Sequence, residues 1–175
     1  MPFAVDEISF SAAAGQHSAD WDRARGAVGF DDHSRRLVHA LKYHDRHEVV
    51  RLMAQLMVRC SADVLGEAHM IVPVPLYWGR MWSRRFNQAA LLAQRISRSE
   101  GCEYRPDILK RRRPTRSQVG LSAKARQDNV KGAFSVAQNL AGDLFGRNVV
   151  LVDDVLTTGA TVQACAKALK KAGAA

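Results

Sequence analysis

The sequence predicts an α/β fold, with a mostly parallel sheet flanked by helices. Short apolar runs alternate with segments whose apolar residues recur every three or four positions, as strands joined by helices do. The segment from Asn148 to Val152 is a near-continuous apolar run ending in Asp153-Asp154, which suits a central parallel strand buried on both faces. The chain has 175 residues, 47% of them hydrophobic and 25% charged, enough for one domain with its own core. That balance excludes a disordered tail, a collagen-like repeat and a disulfide scaffold.

The elements follow in order. Residues 1–25 read as a poorly packed leader, Ala/Ser-rich over its first 20 residues, and residues 26–175 as the domain. A helical pattern begins at Ser34, with Leu37, Val38 and Leu41 on one side. A second runs from His47 to about Leu65, with Val49, Leu52, Met53, Leu56, Met57 and Cys60 at helical spacing. Met70 to Leu76 is a short buried strand closed by Pro73 and Pro75, which cannot donate to a ladder. Ser83 to Ser99 is helical again, its apolar face formed by Phe86, Ala89, Ala90, Leu92, Ala93 and Ile96. Residues 105–131 break the pattern and hold nine basic residues against two acids. Ala133 to Val136 reads as a short strand. After the strand at 148–152, a helix from about Ala160 to Ala172 is closed by Gly173 as C-cap. An α/β unit usually delivers another strand at this point, which leaves open a missing last strand or a truncated product.

Charge and cysteines narrow the setting. Lys and Arg number 26 against 17 acids, a net charge of +9. Such a surplus favours polyanionic partners: nucleic acid, phosphorylated metabolites or an acidic membrane surface. Cys60, Cys102 and Cys165 are scattered, with no CxxC, so neither a zinc knuckle nor a redox pair is expected. Unpaired cysteines, no signal-peptide pattern and no apolar run of membrane-span length point to a cytoplasmic protein.

The segment from Val149 to Thr161 carries the chemistry. A buried strand delivers Asp153 and Asp154 to the carboxyl end of a sheet, where open α/β folds bind ligands. The loop Thr157-Thr158-Gly159-Ala160-Thr161 then enters a helix, where backbone N–H groups and hydroxyls can cradle a phosphate. Gly159 lets the backbone approach closely. The carboxylates suit a vicinal diol or a hydrated Mg²⁺. The ligand so described is a sugar phosphate with vicinal hydroxyls, such as a ribose 5-phosphate. In the blander reading Asp153 merely ends a strand and Thr157 or Thr158 caps the helix. Neither GxxxxGK(S/T) nor GxGxxG occurs, so this is neither a P-loop nor a dinucleotide fingerprint.

The segment resembles the motif of type I phosphoribosyltransferases that binds phosphoribosyl pyrophosphate (PRPP). The resemblance implies that Asp153 and Asp154 hold the ribose hydroxyls and that residues 157–161 hold the 5-phosphate. Purine-salvage members often carry an acid where Thr157 stands, which argues against a 6-oxopurine salvage enzyme. The order of Leu41-Lys42-Tyr43, Ile71 to Leu76, Arg84 to Gln88, Gln118 to Leu121 with Arg126, and Asn129 to Phe134 is similar to the ComF family. These are competence-associated proteins of phosphoribosyltransferase type. Many carry an N-terminal four-cysteine zinc module, which this sequence lacks, so zinc is not expected.

Val74 and Pro75 stand where type I enzymes place a pyrophosphate loop, with Arg80 and Arg84 following as counter-charges. Alternatively the prolines simply end a strand. The basic segment 110–126, with Arg116, Lys124 and Arg126 as candidate catalytic residues, reads as a mobile loop closing over pyrophosphate. A nucleic-acid contact and a solvated basic surface remain its alternatives. Tyr77, Trp78, Trp82 and Phe86 alternate with Arg80, Arg84 and Arg85, which suits stacking on single-stranded bases, although core packing of Trp82 and Phe86 fits equally well. His39, His44 and His47 make no convincing metal set.

The functional expectation is therefore a ComF-like protein that binds Mg-PRPP, with Asp153 and Asp154 near the metal, and transfers its phosphoribosyl group to an acceptor the sequence does not name. A non-catalytic single-stranded-DNA-binding protein on the same fold and a nucleobase salvage enzyme are the alternatives. Nothing in the sequence speaks to oligomeric state.

Overall fold

A computed structural model describes residues 20–29, 31–41, 47–77, 86–115 and 120–175. Its centre is a three-stranded parallel sheet of β1 (Met70–Pro73), β2 (Glu103–Tyr104) and β5 (Val149–Val152), ordered β2-β1-β5. β1 and β5 pair residue for residue, from Met70 with Val149 to Pro73 with Val152. Pro73 has no N–H to give, and the pairing ends one residue on, where Val74 N–H donates to the Val152 carbonyl at 2.9 Å. The strand is thus shorter than the sequence run to Leu76.

Successive side chains of β1 and β5 point to opposite faces, and both faces are covered. Met70, Val72, Val149 and Leu151 pack in one core with Ile108, Leu109, Phe134, Leu144, Cys165 and Leu169. Ile71, Val150 and Val152 pack in the other with Leu41, Ala54, Leu65, Leu92 and Ile96.

Helices cover the second core, and Leu41, just after the first of them, packs into it. α1 (Asp32–Ala40) starts ahead of Ser34 because Asp31 and Ser34 form a reciprocal capping box. The expected single helix from His47 to Leu65 is two: α2 (His47–Cys60) and the one-turn α3 (Ala62–Leu65), broken at Ser61, which leaves helical geometry. The packed face of α2 is rotated from the expected one. Val50, Ala54 and Val58 contribute to it, while Leu52 is exposed. α4 (Gln88–Glu100) begins at Gln88, because the Asn87 side chain caps it by accepting from Ala89 N–H at 3.1 Å.

Residues 105–131 differ most from expectation. They contain β3 (Leu109–Arg111), antiparallel to β4 (Phe134–Val136), and α5 (Ala123–Val130), capped by the Ser122 hydroxyl. The expected mobile loop over 110–126 is therefore corrected at both ends, where a strand and a helix stand. α6 (Ala160–Lys171) packs against β4 and α5, and Gly173 follows it with φ +103°.

The structure describes the last part of the expected leader, residues 1–25. Residues 1–19 lie outside the described residues. Asp20 to Arg25, however, is fastened to the body by side chains of α3, α6 and the turn after α3. Among the described residues no helix is long and apolar enough to cross a membrane.

Candidate functional site

β5 ends by presenting Asp153 and Asp154 at the carboxyl edge of the sheet, both part-buried. Asp154 N–H donates to Asp153 Oδ1 at 2.9 Å, tying the pair together. Burial pushes the Asp153 carboxyl well above the usual carboxylate range, and the like charge of Asp154 adds to it. The positive charge of Arg111 works in the opposite direction.

The chain then turns through exposed Leu156 and Thr157 and part-buried Thr158 to Gly159, the N-cap of α6. The cap is Gly159, at φ +73°, rather than Thr157 or Thr158, and no side chain caps the helix. The left-handed conformation is one most residues reach only with strain. A Cβ at residue 159 would also lie 2.8 Å from Cη2 of Trp21. Thr158 Oγ1 is buried without a hydrogen-bond partner among the described residues. The junction thus offers an unpartnered hydroxyl beside the first amides of a twelve-residue helix, one turn of chain from two carboxylates. That arrangement suits a phosphate on a diol-bearing sugar.

Residues 40–175 match the family model of the phosphoribosyl transferase domain. Competence protein F of Haemophilus influenzae is 39% identical over 142 residues, covering 78% of this chain and 62% of that protein. DNA utilization protein YhgH of Escherichia coli K12 is 35% identical over 167 residues, covering 91% of this chain and 71% of that protein. The chain belongs to the ComF family. The more distant competence protein ComFC of Bacillus subtilis is 27% identical over 152 residues, 86% of this chain and 59% of that protein. The chain therefore spans from 59% to 71% of these relatives' lengths. No solved structure matches it. Its fold is the α/β fold of type I phosphoribosyltransferase domains.

The other expected site residues of this ComF chain fall differently. Val74 is core, 5% exposed, with its N–H given to Val152 and its carbonyl taken by Asn87 Nδ2 at 3.0 Å. Pro75 has no N–H, so backbone donors for a pyrophosphate can begin only at Leu76. Neither Val74 nor Pro75, expected at the pyrophosphate loop, therefore has a backbone N–H free for a ligand. Arg80, Arg84 and Arg116 lie outside the described residues, as do Trp78 and Trp82. Lys124 is exposed near the start of α5 and Arg126 is part-buried two residues on, both on a helix rather than a loop. Ala160 is buried and Thr161 part-buried in the first turn of α6.

Three residues that sequence reasoning passed over belong to this site. Arg111 shares a face of β3 with buried Leu109, and its guanidinium lies 5.2 Å from the ring centre of Phe134 and bonds the Thr115 hydroxyl. Its charge reaches both Asp153 and buried Cys165. Alternation with Leu109 is the one signal that would have separated it from its basic neighbours. The others, Trp21 against Gly159 and Gln163 bonded to Asp20, are brought to the site only by the fold.

Proposed function

We propose that this chain binds PRPP with Mg²⁺ at the junction of β5 and α6. Asp153 and Asp154 accept the ribose 2- and 3-hydroxyls, and residues 157–161 take the 5-phosphate through amides and the Thr158 hydroxyl. The observation that supports this most directly is the uncapped α6 N-terminus, with buried Thr158 Oγ1 unpartnered, beside a crowded acid pair. Adjacent carboxylates, one held protonation-prone by burial, are a donor set that a hydrated cation or the hydroxyls of a diol would relieve. Asp153 and Asp154 would hold Mg²⁺, which supplies charge neutralisation for the departing pyrophosphate.

If the group is transferred, an acceptor nitrogen forms a bond to ribose C1 as the C1–O bond to pyrophosphate breaks, through an oxocarbenium-like state. The protein's part is positioning and electrostatic stabilisation. In this reading positive side chains of the protein neutralise the leaving group, with Arg111 balancing the acid pair.

The test is calorimetric titration of Mg-PRPP into the parent and the Asp153→Asn/Asp154→Asn double variant. Binding by the parent with at least a hundredfold loss in the variant supports the reading; equal heats from both overturn it. Pyrophosphate release with candidate acceptors then decides whether turnover occurs.

A second reading is favoured by the net charge of +9 and by relatives named for competence and DNA utilization. In it the chain contacts single-stranded DNA through its basic surface, with or without PRPP bound. Such affinity would fall steeply with salt.

A further inference from the structure

The segment Asp20–Arg25 crosses the molecule as a strap. At one end Asp20 N–H donates to Gln163 Oε1 at 3.2 Å, and Gln163 Nε2 returns a bond to Asp20 Oδ2 at 2.6 Å. Lys170 Nζ reaches Asp22 Oδ2 at 3.1 Å. At the other end Arg25 Nη2 donates to Asp63 Oδ2 at 2.6 Å, and Arg23 pairs with Glu67. Beneath it runs a groove of about 400 Å³ along β5, reached by Met57, Leu65, Val162 and Leu169. The strap is therefore pinned at its ends and is not part of either core.

Its only aromatic residue, Trp21, is placed on the turn into α6. The indole occupies the space a Cβ at residue 159 would need, with Cη2, Cζ2 and Cζ3 at 2.8, 3.6 and 3.7 Å from that position. One turn along α6, Gln163 is clamped by Asp20 and also bonds the Gly159 carbonyl through its own N–H at 2.8 Å. Gly159 is thus held from two sides, by a ring against its Cα and by a helix turn whose side chain is tied to the same strap.

We infer that the Asp20–Arg25 strap braces the phosphate-binding turn, with Trp21 as a positioning residue for the sugar phosphate. This rests on the PRPP reading above. The turn carries no side-chain cap of its own, so its amides depend on neighbours for a fixed direction. Phosphate recognition by several amides at once needs that direction set before binding. Because the strap overlies a groove, removing its ring loosens the turn without opening a cavity in the core.

The test compares the parent with Trp21→Ala, Trp21→Phe and Asp20→Ala. Amide hydrogen exchange is read without ligand, and Mg-PRPP and ribose 5-phosphate affinities are read by calorimetry. The expected result is exchange at least tenfold faster over residues 158–163 in Trp21→Ala, with the strands unchanged, and affinity about tenfold weaker. Trp21→Phe recovers most of both, and Asp20→Ala gives a smaller loss of the same kind. Unchanged exchange over 158–163, or a rise spread evenly over the chain, overturns the brace. Faster local exchange with undiminished affinity overturns the positioning role. If the parent binds neither ligand, the PRPP reading fails by itself, and the exchange arm still decides whether the strap orders the turn.

Discussion

Asp153 is costly to keep ionised. Its carboxyl is raised by burial and by Asp154, so between the ordinary carboxylate range and its own higher value the folded chain binds more protons than the unfolded one. Stability contributed by this group is therefore present at low pH and is lost as pH rises through that window. Asp153→Asn removes the penalty. It should raise the melting temperature at pH 7, at about 2–4 °C for each kcal/mol gained in a chain of this size, and flatten the pH dependence, while abolishing PRPP binding. A lower melting temperature in the variant would show that the carboxylate is structurally required. Gly159 has two separate reasons to be glycine, φ +73° and the Trp21 ring. Gly159→Ala should cost about 1–3 kcal/mol by denaturant unfolding. In a Trp21→Ala background the cost should shrink to the backbone part alone. Equal costs in both backgrounds would show that the ring simply moves aside.

At the scale of elements, Asn87 joins the end of β1 to the start of α4. Its Oδ1 caps the helix and its Nδ2 satisfies the Val74 carbonyl. Asn87→Ala should destabilise the chain by about 1–2 kcal/mol, seen as a lower denaturant midpoint with unchanged slope. An unchanged midpoint would mean that water replaces both bonds. The elements legible in the sequence are those whose burial is written in several residues at once. β1 and β5 are apolar on both faces, and α6 repeats Cys165, Ala166 and Leu169 at helical spacing. β3 and α5 were illegible because each hides one fully apolar anchor, Leu109 or Val130, among cations and polar residues. α5 is held by a cap and by helix propensity rather than by an apolar stripe. The acid pair and phosphate turn were legible because they are contiguous. Arg111, Trp21 and Gln163 were not, because the last two are 142 positions apart in sequence and the first looks like its neighbours.

For the whole molecule, the charge of +9 is unevenly available. Arg105 is surrounded by Glu103, Asp107 and Asp143 and is spoken for. Lys110, Arg112, Arg113, Lys124 and Lys131 are exposed around β3 and α5. If single-stranded DNA binds, this is the candidate surface among the described residues. Lys110→Glu with Arg112→Glu should then lower affinity at every sequence and reduce the salt slope by about one unit per lost phosphate contact. Arg105→Ala should leave that slope alone and act on stability instead. An unchanged slope in the double variant would place the contact elsewhere.

Cys165 is fully buried on the inner face of α6, while Cys60 and Cys102 are part-buried. Burial also pushes its thiol upward, away from the reactive thiolate. A thiol reagent can reach it only when α6 lifts from the sheet, carrying the phosphate turn with it. Cys165 should consequently label slowest of the three, its rate serving as a clock for opening of this half of the molecule. A sugar phosphate bridging β5 and α6 would slow that clock without touching the sulfur.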